Sequence, residues 1–126
     1  MQSFSTRLHG LFDYLYGALL VALPWIFGYT EFGGPAVWVP TGLGVCVIAY
    51  SLMTDYEMGV VRRLDMRAHL WLDAMVGATL FLSTLFFGFY AYTFWVPYII
   101  AGAAGIIAAV VTDRQAYRPR MQIRRV

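Results

Sequence analysis

Between Asp73 and Asp113 the chain runs for 39 residues without a charged side chain. As a single helix this stretch would be about 58 Å long at ~1.5 Å per residue. The hydrocarbon core of a bilayer is only ~30 Å thick. The stretch is therefore expected to cross, turn and cross back. A second stretch has the same character, because Glu31 is the only charge between Asp13 and Asp55. A soluble domain of 126 residues could not cover so much apolar chain. Its surface would need charge, and only 13% of residues are charged here, against about 25% in soluble domains.

Two such stretches predict four spans. The first runs from Leu8 to Gly28 and the second from Val37 to Thr54. The third runs from Ala68 to Phe89 and the fourth from Val96 to Thr112. Gly33-Gly34-Pro35 marks the first turn, and a short aromatic segment, Tyr90 to Phe94, makes the second. The expected fold class is all-α: a polytopic membrane protein of four transmembrane helices in a single membrane domain, 1–126. The apolar run after Arg7 is read as a span and not as a signal peptide. It is too long, lacks a small-residue cleavage pattern and is followed by three further spans.

The basic residues set the orientation. There is no Lys, and every Arg falls on one side: Arg7, then Arg62, Arg63 and Arg67, then Arg114, Arg118, Arg120, Arg124 and Arg125. The positive-inside rule makes that side cytoplasmic, so both termini are expected there. The other side carries Tyr29, Trp38, Tyr90, Tyr92 and Trp95, as an interfacial aromatic belt would.

The chain also repeats itself. A shift of 60 positions lays His9 on His69, Asp13 on Asp73, Gly17 on Gly77 and Leu20 on Leu80. Farther on, Trp38-Val39-Pro40 matches Trp95-Val96-Pro97, and Thr54-Asp55 matches Thr112-Asp113. The shift shortens there because the second turn is shorter. The units are hairpin repeat 1, residues 8–55, and hairpin repeat 2, residues 68–113, followed by a basic cytoplasmic tail, 114–126. Both hairpins have the same orientation, so the expected relation is a pseudo-twofold axis along the membrane normal.

On these residues the chain resembles the SPW-repeat family of small bacterial membrane proteins. Its repeats pair two transmembrane helices, with a Ser-Pro-Trp motif late in the first. The matching positions are Leu23-Pro24-Trp25 in copy one and Ser83-Thr84-Leu85 in copy two. A His-Gly-x-x-Asp-Tyr motif is intact at His9-Gly10-Leu11-Phe12-Asp13-Tyr14 and reduced to His69-Leu70-Trp71-Leu72-Asp73-Ala74. The resemblance covers nearly the whole chain up to Asp113. It implies the hairpin architecture and a bacterial inner-membrane location. It implies almost nothing about activity, because the family has no settled biochemical role.

One polar constellation stands out. His9 and Asp13, like His69 and Asp73, are spaced i, i+4 and share a helix face. With Asp55 and Asp113 at the ends of spans two and four, and the Thr beside each, they form a candidate polar cluster at one depth near the cytoplasmic side. Ionisable groups within a span are costly, so they tend to be paired and to face the bundle. The bland reading is interhelical polar glue. The sharper one is a ligand, ion or cofactor site. A metal is not expected, since the Glu-x-x-His pattern of bundle di-iron sites is missing and there is no Cys pair. No cofactor is expected either. Gly17, Gly77, Ala101, Gly105 and Ala109 are expected to be helix-packing positions, against helices of the same chain or of a partner. Pro24 and Trp25 form an outer-interface motif, and Pro40 and Pro97 are expected near helix starts.

No phosphate loop, nucleophile elbow or His-Glu-x-x-His helix is present. The expected function is therefore a non-enzymatic structural or accessory membrane protein, with a place as a subunit of a larger membrane complex as one form of it. The alternative is binding at the paired His-x-x-x-Asp motifs. Expected partners are the lipid bilayer and other membrane subunits or further copies of the chain, with no nucleic acid.

Overall fold

The structure is a computed structural model that describes residues 4–89, 95–112 and 114. Four α-helices follow one another: α1 (Thr6–Ile26), α2 (Pro35–Leu52), α3 (Met66–Phe86) and α4 (Trp95–Val111). A 3-10 turn at Tyr29–Phe32 joins α1 to α2. Among the described residues there is no strand, only two isolated bridges. The helices begin one or two residues earlier than the apolar runs suggest, and their capping explains this. The Ser5 hydroxyl accepts from Leu8 N at 3.3 Å and the Asp65 carboxylate from Ala68 N at 2.7 Å. Each satisfies an amide that the first turn leaves free. Pro35 opens α2, where its missing N–H costs nothing.

α1 packs along α2 and α3 along α4. Glycine sets both close approaches. A Cβ on Gly44 would lie 2.6 Å from Gly17 O, and one on Gly77 would lie 2.6 Å from Gly102 O. The backbones meet where neither helix carries a side chain. Gly17 and Gly77 thus do the same work in the two hairpins. Gly105 faces inward too, with the Tyr16 hydroxyl 2.9 Å from where its Cβ would be. Ala101 and Ala109 are buried as well. The small-residue face of α4 is therefore used up within the chain.

The ends of the hairpins meet in a cyclic pattern. Leu64, just before α3, bridges Thr54 at the end of α2. Phe4, just before α1, bridges Thr112 at the end of α4. The hydrogen bonds are Leu64 N to Met53 O at 2.8 Å and Phe4 N to Val111 O at 2.9 Å. The described arginines, Arg7, Arg62, Arg63, Arg67 and Arg114, are all exposed and all lie at this end.

Pro40 departs from expectation. It lies inside α2, past the first turn. There its ring leaves the carbonyl of Ala36 without the usual amide donor. The Tyr98 hydroxyl of α4 donates to that carbonyl at 2.7 Å. A helix defect in one hairpin is thus repaired by the other. Tyr16 makes a second such link, donating to Ala101 O at 2.6 Å.

α2 and α3 are each long and apolar enough to cross a membrane, and α4 is apolar but shorter, at 17 residues. Only 33% of the α2 span and 44% of the α3 span is buried within the protein, so neither is the enclosed core helix of a soluble domain. Leu15, Leu19, Met75, Phe86, Ile100 and Val110 are among many large apolar side chains facing outward. At the Glu31 end Trp25, Trp38 and Trp95 are exposed, whereas Tyr29 is buried against Tyr98. Tyr29 therefore belongs to the core and not to an outer belt. Tyr90 and Tyr92 lie outside the described residues.

Candidate functional site

The capped first turns of α1 and α3 place a histidine at the same point in each helix. His9 N bonds Ser5 O at 2.9 Å and His69 N bonds Asp65 O at 3.0 Å. One turn on, Asp13 and Asp73 project from the same faces. All four side chains meet in the interior, with residue exposures of 0% for His9, 1% for Asp13, 0% for His69 and 5% for Asp73.

The pairing runs crosswise. His9 Nε2 lies 2.8 Å from Asp73 Oδ2, and His69 Nε2 lies 2.9 Å from Asp13 Oδ2. The pairs within each helix are longer, both 3.2 Å. Each imidazole therefore touches both carboxylates, and each half of the chain supplies the nearest partner of the other. One ring nitrogen of each histidine and one carboxylate oxygen of each aspartate all lie within 4.8 Å of one another.

The opposite ring nitrogens are held by threonine. His9 Nδ1 is 2.6 Å from Thr112 Oγ1, and His69 Nδ1 is 2.7 Å from Thr54 Oγ1. Each Thr hydroxyl already donates its proton to the carbonyl four residues earlier, Ala108 O at 2.6 Å and Tyr50 O at 2.7 Å. A hydroxyl has one proton, so toward the imidazole it can only accept. Both Nδ1 atoms therefore carry hydrogen, and both Nε2 atoms face the carboxylates. The His9 contact to Asp73 is a hydrogen bond. His69 Nε2, fully buried, makes none of acceptable geometry despite its short distances to oxygen.

Two tyrosines complete the cluster. Tyr50 donates to Asp73 Oδ1 at 2.6 Å and Tyr56 to Asp13 Oδ2 at 3.1 Å. Tyr56 belongs to the linker between α2 and α3. Burial, and next the Asp13 charge beside it, push its phenol above the ordinary tyrosine value, so it remains a donor. The linker is held over the start of α1 by Thr6 Oγ1 donating to the Glu57 carboxylate at 2.8 Å and by Tyr14 donating to Met58 O at 2.8 Å. Gly10 leaves room for Met58 and Tyr56.

His9, Asp13, His69 and Asp73 of the expected cluster are thus brought together. Asp55 is not: it is partly exposed, and its amide bonds Leu64 O at 2.7 Å. Asp113 lies outside the described residues, as do the tail arginines beyond Arg114. Sequence reasoning did not find Tyr50 and Tyr56. Tyr50 was within reach, since it stands four residues before Thr54 on the same face of α2. Tyr56 was not, because it comes from an irregular linker. Neither has a tyrosine counterpart in the second repeat.

A family model for the SPW repeat domain matches residues 7–112. The chain belongs to the SPW repeat family. No curated protein and no solved structure matches it. Family membership and two apolar helices of spanning length together point to a membrane protein. In this SPW repeat protein the motif positions keep one burial pattern although their residues have diverged. Leu23 and Pro24 are buried and Trp25 is 60% exposed, while Ser83 and Thr84 are buried and Leu85 is 62% exposed. The third motif position points outward in both copies.

Proposed function

We propose that this SPW repeat protein is a four-span, non-enzymatic accessory protein of the bacterial inner membrane, with both termini cytoplasmic and its two hairpins related by a pseudo-twofold axis along the membrane normal. The crosswise tetrad carries this reading. It spends the ionisable side chains buried in the helices on joining one hairpin to the other, and the outer faces stay apolar. Equivalences such as Phe4 with Leu64, Thr54 with Thr112 and Gly44 with Gly102 support the twofold relation. Arginine at one end and exposed tryptophan at the other support the orientation.

An apolar groove of about 460 Å³ between α1 and α4 supports the accessory role. Leu15, Leu19, Ile26 and Ile100 line it, and a partner helix or acyl chain fits that chemistry. A second reading, binding at the tetrad, is favoured by the convergence of two imidazoles and two carboxylates on one point. Extraction in mild detergent followed by native mass measurement tests the accessory role. The expected species contains more than one polypeptide. A strictly monomeric chain, retained under every mild extraction, contradicts it.

A further inference from the structure

We propose that His9, Asp13, His69 and Asp73 coordinate one divalent transition-metal cation of the zinc class between the two hairpins. This deepens the binding reading of the tetrad and rests on it. The donor set is two imidazole nitrogens and two carboxylate oxygens, which suits zinc-like cations and not Mg²⁺ or Ca²⁺, which take oxygen. Tetrahedral zinc with ligand bonds of ~2.0–2.1 Å needs neighbouring ligand atoms roughly 3.3–3.4 Å apart. The four nitrogen–oxygen contacts here are 2.8, 2.9, 3.2 and 3.2 Å. With Asp13 Oδ2 and Asp73 Oδ2 as the oxygen donors, three of these contacts are edges of one tetrahedron, each shorter than zinc would set them, and the fourth reaches Oδ1, the other oxygen of Asp13.

Four further features agree. His69 Nε2 is fully buried, aimed into the cluster and without a hydrogen bond. Both Nδ1 atoms carry hydrogen and donate it to Thr54 and Thr112, which orients each ring so that Nε2, on giving up any proton it shares with a carboxylate, turns its lone pair to the cation. This is the usual outer support of a metal-bound histidine. Two carboxylates and one divalent cation sum to zero charge, which a site inside the helices requires. Tyr50 and Tyr56 hold the remaining carboxylate lone pairs.

The test uses the full chain with a tag free of histidine, since the chain itself has only two. Purified protein is stripped with chelator, then titrated with Zn²⁺, Mg²⁺ and Ca²⁺ in detergent while calorimetry and thermal melting are followed. Elemental analysis is made after desalting. The expected result is one zinc per chain, a raised melting temperature with Zn²⁺ alone, and intense visible absorption when Co²⁺ is substituted. Asp13→Asn with Asp73→Asn abolishes the stoichiometric zinc. Thr112→Val, which touches no metal, weakens it roughly 10–100-fold. Zinc absent from the wild-type chain and without effect on its melting overturns the proposal, whatever the variants do. Equal zinc in wild type and double variant also overturns it. Either failure leaves the accessory reading standing, because that depends on the native mass measurement.

Discussion

Gly42 and Gly44 lie two residues apart on α2, yet alanine should be far less tolerated at Gly44 than at Gly42. A Cβ on Gly44 would lie 2.6 Å from Gly17 O, 2.8 Å from Val21 N and 2.9 Å from Leu20 Cβ. These are backbone atoms or a side-chain root, so none can swing away and the α1–α2 pair must separate. Overpacking of this kind costs about 1–3 kcal/mol. A Cβ on Gly42 meets nothing within 4 Å. Both substitutions gain helix propensity, at most ~0.8–1 kcal/mol. That gain shrinks where the unfolded state in detergent keeps its helices. It is common to both sites and cancels in their difference. Gly44→Ala should therefore be less stable than Gly42→Ala by about 1–3 kcal/mol. Reversible unfolding in mixed micelles, followed by tryptophan fluorescence as SDS is added, measures this. Midpoints agreeing within ~0.5 kcal/mol, the usual scatter for independent sites, would refute the helix contact drawn here.

The crosswise pairing predicts energetic coupling between hairpins. A double-mutant cycle with His9→Ala and Asp73→Asn should give ~1.5 kcal/mol or more, near the top of the range for polar pairs between membrane helices, while the cycle with Asp55→Asn should give none. Tyr98→Phe should cost about 1–3 kcal/mol, since it strips Ala36 O of its donor. The same change in a Pro40→Ala background should cost clearly less, because residue 40 then offers its own amide to that carbonyl. Equal costs in the two backgrounds would show that the tyrosine does not repair the proline gap. Both measurements use the same micelle unfolding assay.

Much of this was legible because membrane chains write their constraints in charge. Two uncharged stretches, arginine at one end only and a 60-residue repeat led directly to four helices in two hairpins. The His9–Asp13 and His69–Asp73 spacing marked the tetrad's members and their shared depth. Helical periodicity says which residues share a face, but not which face meets which neighbour. The crosswise partners therefore needed coordinates, as did the exclusion of Asp55. Tyr98 and Pro40 show the same limit. The proline announces a freed carbonyl in the sequence, while the hydroxyl that takes it comes from 62 positions away. Tyr29 misled because an aromatic near a helix end reads alike whether it faces lipid headgroups or closes a core.

Labelling of single cysteines tests most directly the proposal that the chain makes four crossings with its arginine-bearing ends in the cytoplasm. In a Cys46→Ser background, Thr30→Cys and Trp95→Cys report on one end, and Val60→Cys and Arg114→Cys on the other. Residues 30, 60, 95 and 114 are all exposed on the protein. With a membrane-impermeant maleimide on intact cells, positions 30 and 95 should label at once. Positions 60 and 114 should label only after the membrane is opened. Labelling of positions 30 and 60 from the same side would contradict the four-span account.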